Sequence, residues 1–148
     1  DRLAAAVGAF ELYPNQHCLV IDMGTCITYD LITSSGSFEG GHIVPGIHLR
    51  FKAMNQYTSA LPLIQEINSY TMPGKDTKSA MHSGVMESVL GEMAHFIQFY
   101  KHQYPDLKII LTGGDAIFFE KKLKEAIFAH PLLVMQGLYR VWKDNAQI

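Results

Sequence analysis

Basic residues are not in excess in this sequence, and cysteine is scarce. Among 148 residues, 12 Lys and Arg stand against 14 Asp and Glu, and the formal net charge is -2. Without a basic stripe, the chain is not expected to bind the phosphate backbone of nucleic acids. The two cysteines, Cys18 and Cys26, fall at opposite ends of the arms of a predicted hairpin. They are therefore expected to be reduced packing residues of a cytosolic protein.

Long apolar runs are also missing. No apolar stretch approaches the roughly 20 residues of a membrane span, and no basic segment leads into an apolar signal core. We therefore expect a cytoplasmic protein with no membrane segment. The first residues, DRLAAAVGAFELY, form an Ala-rich helical pattern with no initial Met. Such a start is typical of a fragment or of a chain with further residues upstream.

The common nucleotide and zinc motifs are absent. In PGKDTK, Asp76 follows Gly74 and Lys75 where a P-loop needs Ser or Thr, and there is no G-x-G-x-x-G. The seven histidines form no H-E-x-x-H and lie near no paired cysteines. A P-loop, a Rossmann site and zinc catalysis are therefore not expected.

What the sequence does contain is a clear order of periodic segments. Helical patterns are predicted over 3–12, 47–55, 77–104, 116–128 and 136–145, and strands over 18–23, 27–33, 38–44, 108–111 and 132–135. The first three strands are joined by turns too short for crossover helices, so they must pair antiparallel. A single α/β domain with the ribonuclease H-like fold fits this order better than a doubly wound sheet does.

One strand ends in an unusual way, because residues 20–32 read VIDMGTCITYDLI and place Asp22, Gly24 and Thr25 within an apolar run. In one interpretation these residues only form a tight hairpin turn. In the other, Gly24 lets the backbone approach a phosphate that the Thr25 hydroxyl also faces. These residues alone favour the first interpretation, because Asp and Gly are so common in turns.

Further motifs change that balance. The sequence contains DR at the start, DMGTCIT at 22–28, GGHIVPG at 40–46, TSALP at 58–62, GKDT at 74–77 and LTGGDA at 111–116. In this order and at these separations they resemble the type III pantothenate kinases. These enzymes are also described as the Bvg accessory factor family, within the actin-like and sugar-kinase-like ATPase superfamily. The resemblance covers nearly the whole chain.

The resemblance implies a substrate site. Asp1 and Arg2 match the end of the family's Gly-x-Asp-Arg motif, whose aspartate accepts the proton of the pantothenate hydroxyl. Gly46 lies in the region that corresponds to the pantothenate site. Thr58 matches a threonine that contacts the substrate across the subunit interface of a homodimer.

The resemblance also implies a nucleotide and cation site. Asp22 matches the residue that binds a monovalent cation, K⁺ or NH₄⁺. Gly24 and Thr25 match the turn that contacts ATP phosphate, and Gly113 and Gly114 match a glycine pair near the adenosine. Mg²⁺ is expected to accompany the nucleotide.

Each of these residues also has a simpler interpretation. Asp1 would serve as a helix N-cap, and Gly46 would start a helix after Pro45. Thr58 would be an ordinary loop residue, and the pair Gly113 and Gly114 would be needed for packing alone. No single motif decides between the two interpretations.

The implied activity is the ATP-dependent phosphorylation of pantothenate to 4'-phosphopantothenate, the first step of coenzyme A biosynthesis. A non-catalytic regulatory relative of the Bvg accessory factor type is the alternative. Asp1, Asp22, Thr25 and Thr58 together favour the enzyme.

Because no second phosphate loop occurs in the sequence, residues 1–148 are expected to form the C-terminal domain. The N-terminal ATPase half is expected to be absent and the isolated chain inactive. The Met-rich pattern over 77–104 predicts a homodimer.

Overall fold

A computed structural model describes residues 1–67, 69–120, 122–123 and 127–146. The helices are α1 (Arg2–Leu12), α2 (Ile47–Tyr57), α3 (Thr77–Gln103) and α4 (Leu133–Ala146), and a 3₁₀ turn covers Ala116–Phe118. The strands are β1 (Cys18–Met23), β2 (Cys26–Ile32), β3 (Phe38–Pro45), β4 (Lys108–Thr112) and β5 (Ile127–Ala129). None of the helices in these ranges is long and apolar enough to cross a membrane.

The strands form one sheet in the order β3-β2-β1-β4-β5. The first three strands pair antiparallel, as their short connections predict, whereas β4 pairs parallel to β1 and β5 parallel to β4. A parallel partner requires a crossover, and α2 and α3 provide it between β3 and β4. This is the ribonuclease H-like arrangement, and the predicted fold class is confirmed.

The sheet separates two apolar layers because side chains alternate along each strand. From β1, Leu19, Ile21 and Met23 pack in the cluster formed with α2 and α3. Cys18 and Val20 pack on the other face, in the cluster formed with α1 and α4. The same alternation places Asp22 on the α1 side of the sheet.

The long helix α3 begins at a capping box. The Asp76 carboxylate accepts a hydrogen bond from the Ser79 amide at 2.9 Å, and the Ser79 hydroxyl is 3.1 Å from the Asp76 amide. The predicted apolar face is buried in the chain's own core at Met81, Val85, Val89, Met93 and Ile97. Among the described residues of α3, Phe99 is the one large apolar side chain that is exposed. The apolar residues of α3 that suggested a dimer are therefore buried within the domain itself.

Helices α1 and α4 cross at two glycines. A Cβ atom at Gly137 would lie 1.7 Å from the carbonyl oxygen of Ala4, and one at Gly8 would lie 2.5 Å from the carbonyl oxygen of Leu133. The backbones can approach this closely only because the crossing residues are small. The Ala-rich start of the chain is thus a packing surface for α4.

Two predicted elements near the C-terminal end are wrong. Instead of a helix over 116–128, the structure has a 3₁₀ turn and then β5, while residues 121 and 124–126 lie outside the described ranges. The strand β5 forms because the edge of β4 is open to parallel pairing, which overrides local helical preference. Instead of a strand over 132–135, helix α4 begins at Leu133, which it buries with Gly137 one turn later against α1.

Both cysteines are free. Cys18 is fully buried, as expected of a packing residue, whereas Cys26 is exposed. A packing role for Cys26 is therefore wrong, since its position follows directly after the β1–β2 turn.

Candidate functional site

The segment VIDMGTCITYDLI forms a β-hairpin. Met23 pairs with Ile27 across the ladder, and the Gly24 amide donates a 3.0 Å hydrogen bond to the carbonyl oxygen of Cys26. Gly24 and Thr25 are exposed at its tip. The hairpin interpretation is therefore correct as a description of the backbone, and it leaves the Thr25 side chain accessible.

Helix α2 begins directly against this turn. The Gly46 amide donates a 2.9 Å hydrogen bond to the carbonyl oxygen of Thr25. A Cβ atom at Gly46 would lie 2.2 Å from the carbonyl oxygen of Gly24. Only glycine permits this contact, so Gly46 does more than start a helix. Its position brings the free amides of the first turn of α2 to the same place as Thr25.

The end of β4 meets the end of β1 through the second glycine motif. Gly113 has a φ of +93°, and a Cβ atom there would lie 2.4 Å from the carbonyl oxygen of Met23 and 2.6 Å from Oδ1 of Asp22. The packing interpretation therefore accounts for Gly113. Gly114 is exposed, and a Cβ atom there would have no neighbour within 4 Å. Packing does not account for Gly114.

A cavity of about 330 Å³ opens at the turn, and it is lined by Gly24, Thr25, His48, Leu49, Lys52 and Asp115. His48 Nε2 lies 3.9 Å from Oδ1 of Asp115. Burial raises the pKa of Asp115, and His48 acts in the opposite direction. The cavity thus combines a hydroxyl, a carboxylate and two side chains that can be positively charged.

Three lining residues with charged or titratable side chains, His48, Lys52 and Asp115, were not selected from the sequence. His48 and Lys52 are four residues apart, so a helical prediction for this segment places them on one face. Asp115 follows the glycine pair in LTGGDA. Asp115 could be noticed in this motif, but its place in the cavity depends on α2 lying beside the end of β4.

The Asp22 carboxylate accepts no hydrogen bond from any described residue. It is partly buried, and no hydrogen bond to its side chain is found among the described residues. Burial raises the pKa of Asp22, and the charge of Asp30 raises it further. Directly opposite Asp22 in the β1–β2 ladder is Thr28, whose Oγ1 is buried and also has no hydrogen-bond partner. Two oxygen-bearing side chains thus lie unpaired on one face of the sheet.

The beginning of α1 lies on this same face. Asp1 occupies the N-cap position, but its side chain makes no capping hydrogen bond and is exposed. The expectation that Asp1 caps the helix with its carboxylate is therefore wrong. The neighbouring Arg2 forms a bidentate ion pair with Asp30 on β2.

Thr58 does not join this group. It ends α2, and its hydroxyl donates a 2.7 Å hydrogen bond to the carbonyl oxygen of Met54. Gly46 stands at the other end of this helix of 11 residues, so the two positions are separated by about 18 Å along its axis. Six of the remaining predicted residues lie where β1 and β4 end: Asp22, Gly24, Thr25, Gly46, Gly113 and Gly114. Asp1 and Arg2 lie at the start of α1, on the face of the sheet where Arg2 pairs with Asp30.

The strand order and the turn at the end of β1 define a domain of the ribonuclease H-like class to which the actin-like ATPases belong. Two solved structures share the fold. A putative Baf family transcriptional activator from Campylobacter jejuni has a TM-score of 0.66 at 24% identity, covering 98% of this chain and 65% of that one. The ethanolamine utilization protein EutJ from Carboxydothermus hydrogenoformans has a TM-score of 0.50 at 19% identity, covering 90% and 52%.

Within this class, the chain belongs to the type III pantothenate kinase family, whose model matches residues 1–98. A type III pantothenate kinase from Bacteroides fragilis is 44% identical over 145 residues, which are 98% of this chain and 60% of the relative. The one from Phocaeicola vulgatus is 43% identical over 148 residues, covering 100% and 61%. The chain thus spans about 60% of the length of these curated relatives.

Proposed function

We propose that this chain is the C-terminal, ribonuclease H-like domain of a kinase that phosphorylates pantothenate with ATP. The product would be 4'-phosphopantothenate, in the first step of coenzyme A biosynthesis. The observation that supports this most is the grouping at one end of the sheet. Thr25 is exposed at the turn where β1 ends, Asp22 lies without a hydrogen-bond partner among the described residues at that end of β1, and the uncapped Asp1 begins the helix that covers the same face as Asp22. We infer that a nucleotide and an alcohol meet at this end of the sheet.

Phosphoryl transfer needs positioned groups more than covalent chemistry. In the proposed reaction the pantothenate hydroxyl oxygen bonds to the γ-phosphorus of ATP, and the bond between that phosphorus and the ADP oxygen breaks. Asp1 accepts the hydroxyl proton and later releases it to solvent. Its carboxylate suits this role because no other hydrogen bond in the described structure engages it.

We assign the phosphates of ATP to the cavity at Thr25. The hydroxyl of Thr25 and the free amides of the first turn of α2 are the donors at this cavity. The Gly24 amide is engaged by the carbonyl oxygen of Cys26, so Gly24 contributes the space that a glycine leaves for a phosphate. His48 and Lys52 line the same cavity and can offset negative charge. The adenosine is assigned to the open surface at Gly113 and Gly114, where Gly114 leaves space for a ligand.

A monovalent cation, K⁺ or NH₄⁺, fits the pair formed by Asp22 and Thr28. The carboxylate and the orphaned hydroxyl provide only oxygen donors, which suit a hard cation. A cation bound there would supply positive charge beside the phosphates. Asp22 would hold it, and the buried Thr28 Oγ1 would gain a partner. Mg²⁺ is proposed to enter with the nucleotide, bound mainly by its phosphates.

We propose a homodimer in which Thr58 serves the site of the other subunit. Within one chain Thr58 stands at the far end of α2 from Gly46, so it would reach a substrate bound near Gly46 more readily from a partner. Gly46 itself would border the pantothenate. The Arg2 guanidinium is engaged by Asp30, so we assign Arg2 to the border of the substrate site and not to a direct side-chain contact.

The non-catalytic alternative is not favoured. Relatives at 43 to 44% identity are named as kinases, and the candidate groups for proton acceptance and phosphate contact are all exposed in this chain. The likeness to the Campylobacter jejuni protein supports the fold alone.

The experiment uses a completed kinase, in which these residues replace the matching residues of the Bacteroides fragilis relative. Incubation with ATP, Mg²⁺, K⁺ and pantothenate should release ADP and yield a product heavier by one phosphoryl group. ADP release that is independent of pantothenate, or no turnover from a folded protein, would contradict the proposal. The relative's own chain is the positive control.

A further inference from the structure

The α1 face of the sheet contains a fully buried carboxylate that the proposed chemistry does not use. Asp30 lies in the middle of β2 and is only 1% exposed. Burial of a charged group is costly unless it is paired and hydrogen-bonded. Asp30 satisfies this requirement through one partner, Arg2.

Arg2 is held from two sides. Its Nε lies 3.1 Å from both carboxylate oxygens of Asp30, and its second guanidinium nitrogen also bonds Oδ1. Its guanidinium carbon lies 5.6 Å from the ring centroid of Phe38 on β3. A planar guanidinium bonded in this way permits little freedom of rotation.

The sheet provides room for this pair. A Cβ atom at Gly41, the residue paired with Asp30 on β3, would lie 2.9 Å from Oδ1 of Asp30 and 1.6 Å from the carbonyl oxygen of Tyr29. A glycine at this position therefore leaves the Asp30 carboxylate free to face Arg2.

A buried ion pair is weak evidence for stability, because apolar residues of similar volume often replace it without loss. Its stronger effect is on geometry. In the first turn of α1, Leu3 is 64% exposed, and the Asp1 side chain makes no capping hydrogen bond. Ala5 of the same turn is buried in the apolar cluster on this face of the sheet. Among the described residues, the contact between Arg2 and Asp30 is the polar contact that joins the first turn of α1 to the sheet.

We propose that Asp30 is a positioning residue, which fixes Arg2 and thereby places the carboxylate of Asp1 for proton acceptance. This inference rests on the proposed function for the role of Asp1. The consecutive Cα atoms of Asp1 and Arg2 are about 3.8 Å apart, so a displaced Arg2 would displace Asp1 with it. Arg2 would then act through its pairing with the sheet and not through contact with the substrate.

The test uses the double variant Arg2→Met with Asp30→Leu in the completed kinase. Because apolar replacement removes both charges together, the melting temperature should stay near that of the parent. The value of kcat should fall by roughly 10- to 100-fold, the scale of a misplaced catalytic group. The KM for ATP should change little, since the nucleotide residues lie on other elements. An unchanged kcat in the folded double variant would overturn the proposal.

A second variant guards against misfolding of the first. Arg2→Ala leaves a space for a small cation, so added guanidinium ion at low millimolar concentration should restore part of kcat. It should not act on the matched control Arg140→Ala, whose ion pairs with Glu11 and Asp144 lie on the exposed surface. No restoration in a folded Arg2→Ala protein would count against a positioning role.

Hydrogen exchange separates this inference from the proposed function. The Ala5 amide donates to the Asp1 carbonyl at 2.9 Å, so its protection reports the first turn of α1 directly. It should exchange faster in the double variant, while amides in β1 and β4 stay protected. This result is expected whether or not the parent protein phosphorylates pantothenate. Unchanged protection of Ala5 would show that the pair does not hold α1 in place.

Discussion

Across the β1–β2 ladder, the Asp22 carboxylate stands directly opposite Thr28, and the Thr28 hydroxyl is buried without a partner. Burial and the charge of Asp30 both raise the pKa of Asp22. When the pKa of a carboxyl group is higher in the folded than in the unfolded state, the folded protein loses stability as pH rises from the unfolded-state pKa through the folded-state pKa. At neutral pH the ionised Asp22 therefore destabilises the folded state unless a cation offsets its charge.

The first prediction follows from this destabilisation by the ionised Asp22. In buffer without K⁺ or NH₄⁺ at pH 7.5, Asp22→Asn should raise the melting temperature by about 2–4 °C, the scale of a change of about 1 kcal/mol in a domain of this size. Added KCl should raise the melting temperature of the parent more than that of the variant. Choline chloride at equal ionic strength is the control. An equal response of both proteins to KCl would contradict a cation site at Asp22.

The second prediction concerns Asp1. Because its carboxylate makes no capping hydrogen bond, Asp1→Asn should leave the melting temperature unchanged while it lowers kcat of the completed kinase by roughly 100-fold, the scale of a lost general base. Asp76→Ala is the matched control, since Asp76 does cap its helix. It should lower the melting temperature and leave kcat unchanged. If Asp1→Asn turned over at the parent rate, another group would have to accept the proton.

The third prediction separates the two glycines after β4. Gly113→Ala should destabilise the domain by about 1–3 kcal/mol, because it combines a positive φ with a clash against Met23. The methyl group added by Gly114→Ala would have no neighbour within 4 Å, so this variant should have the same free energy of unfolding as the parent. It should instead raise the KM for ATP about tenfold, a loss of about 1.4 kcal/mol of binding. Denaturant unfolding and initial rates measure the two effects. An unchanged KM for ATP would remove Gly114 from the nucleotide site.

The fourth prediction tests the crossing of α1 and α4. Gly137→Ala should cost about 1–3 kcal/mol, because the new methyl group would overlap the carbonyl oxygen of Ala4. Gly91→Ala, at an exposed position in α3 where a Cβ atom meets nothing, should instead stabilise by about 0.5–1 kcal/mol. Urea unfolding of both variants measures the difference. Equal effects would mean that the two helices do not cross this closely.

The fifth prediction addresses the proposed dimer. Asp1→Asn and Thr58→Ala should each reduce activity in the completed kinase. When the two variants are unfolded and refolded together, half of the dimers are mixed and each mixed dimer has one intact site. About a quarter of the parent activity should then return if Thr58 serves the partner's site across a two-fold interface. Sedimentation must show dimers in the mixture. A dimeric mixture that stays as inactive as the separate variants would place Thr58 in its own subunit's site or in none.

The sequence determined the elements whose signals are local. Strand β1 is found where its pattern predicts, and the bounds of α3 differ from the prediction by one residue at its end. Period-two alternation, helical periodicity and the Asp76 cap are all properties of neighbouring residues. The motifs also predicted a turn at Gly24 and Thr25, which the structure has, because a turn is formed by adjacent residues; Asp22, expected in the same turn, instead belongs to the β1 ladder. Their functional roles stay predictions.

Contacts between distant segments decided the rest. No local pattern distinguishes the start of α4 from a strand, and its helical state depends on burying Leu133 against α1. The cavity at Thr25 exists because α2 and the end of β4 meet there, although Thr25 and Asp115 are far apart in the chain. The pairing of Arg2 with Asp30 spans 28 positions. Sequence patterns report which residues are neighbours along the chain, whereas buried charges and close backbone contacts are satisfied only by partners that folding brings together.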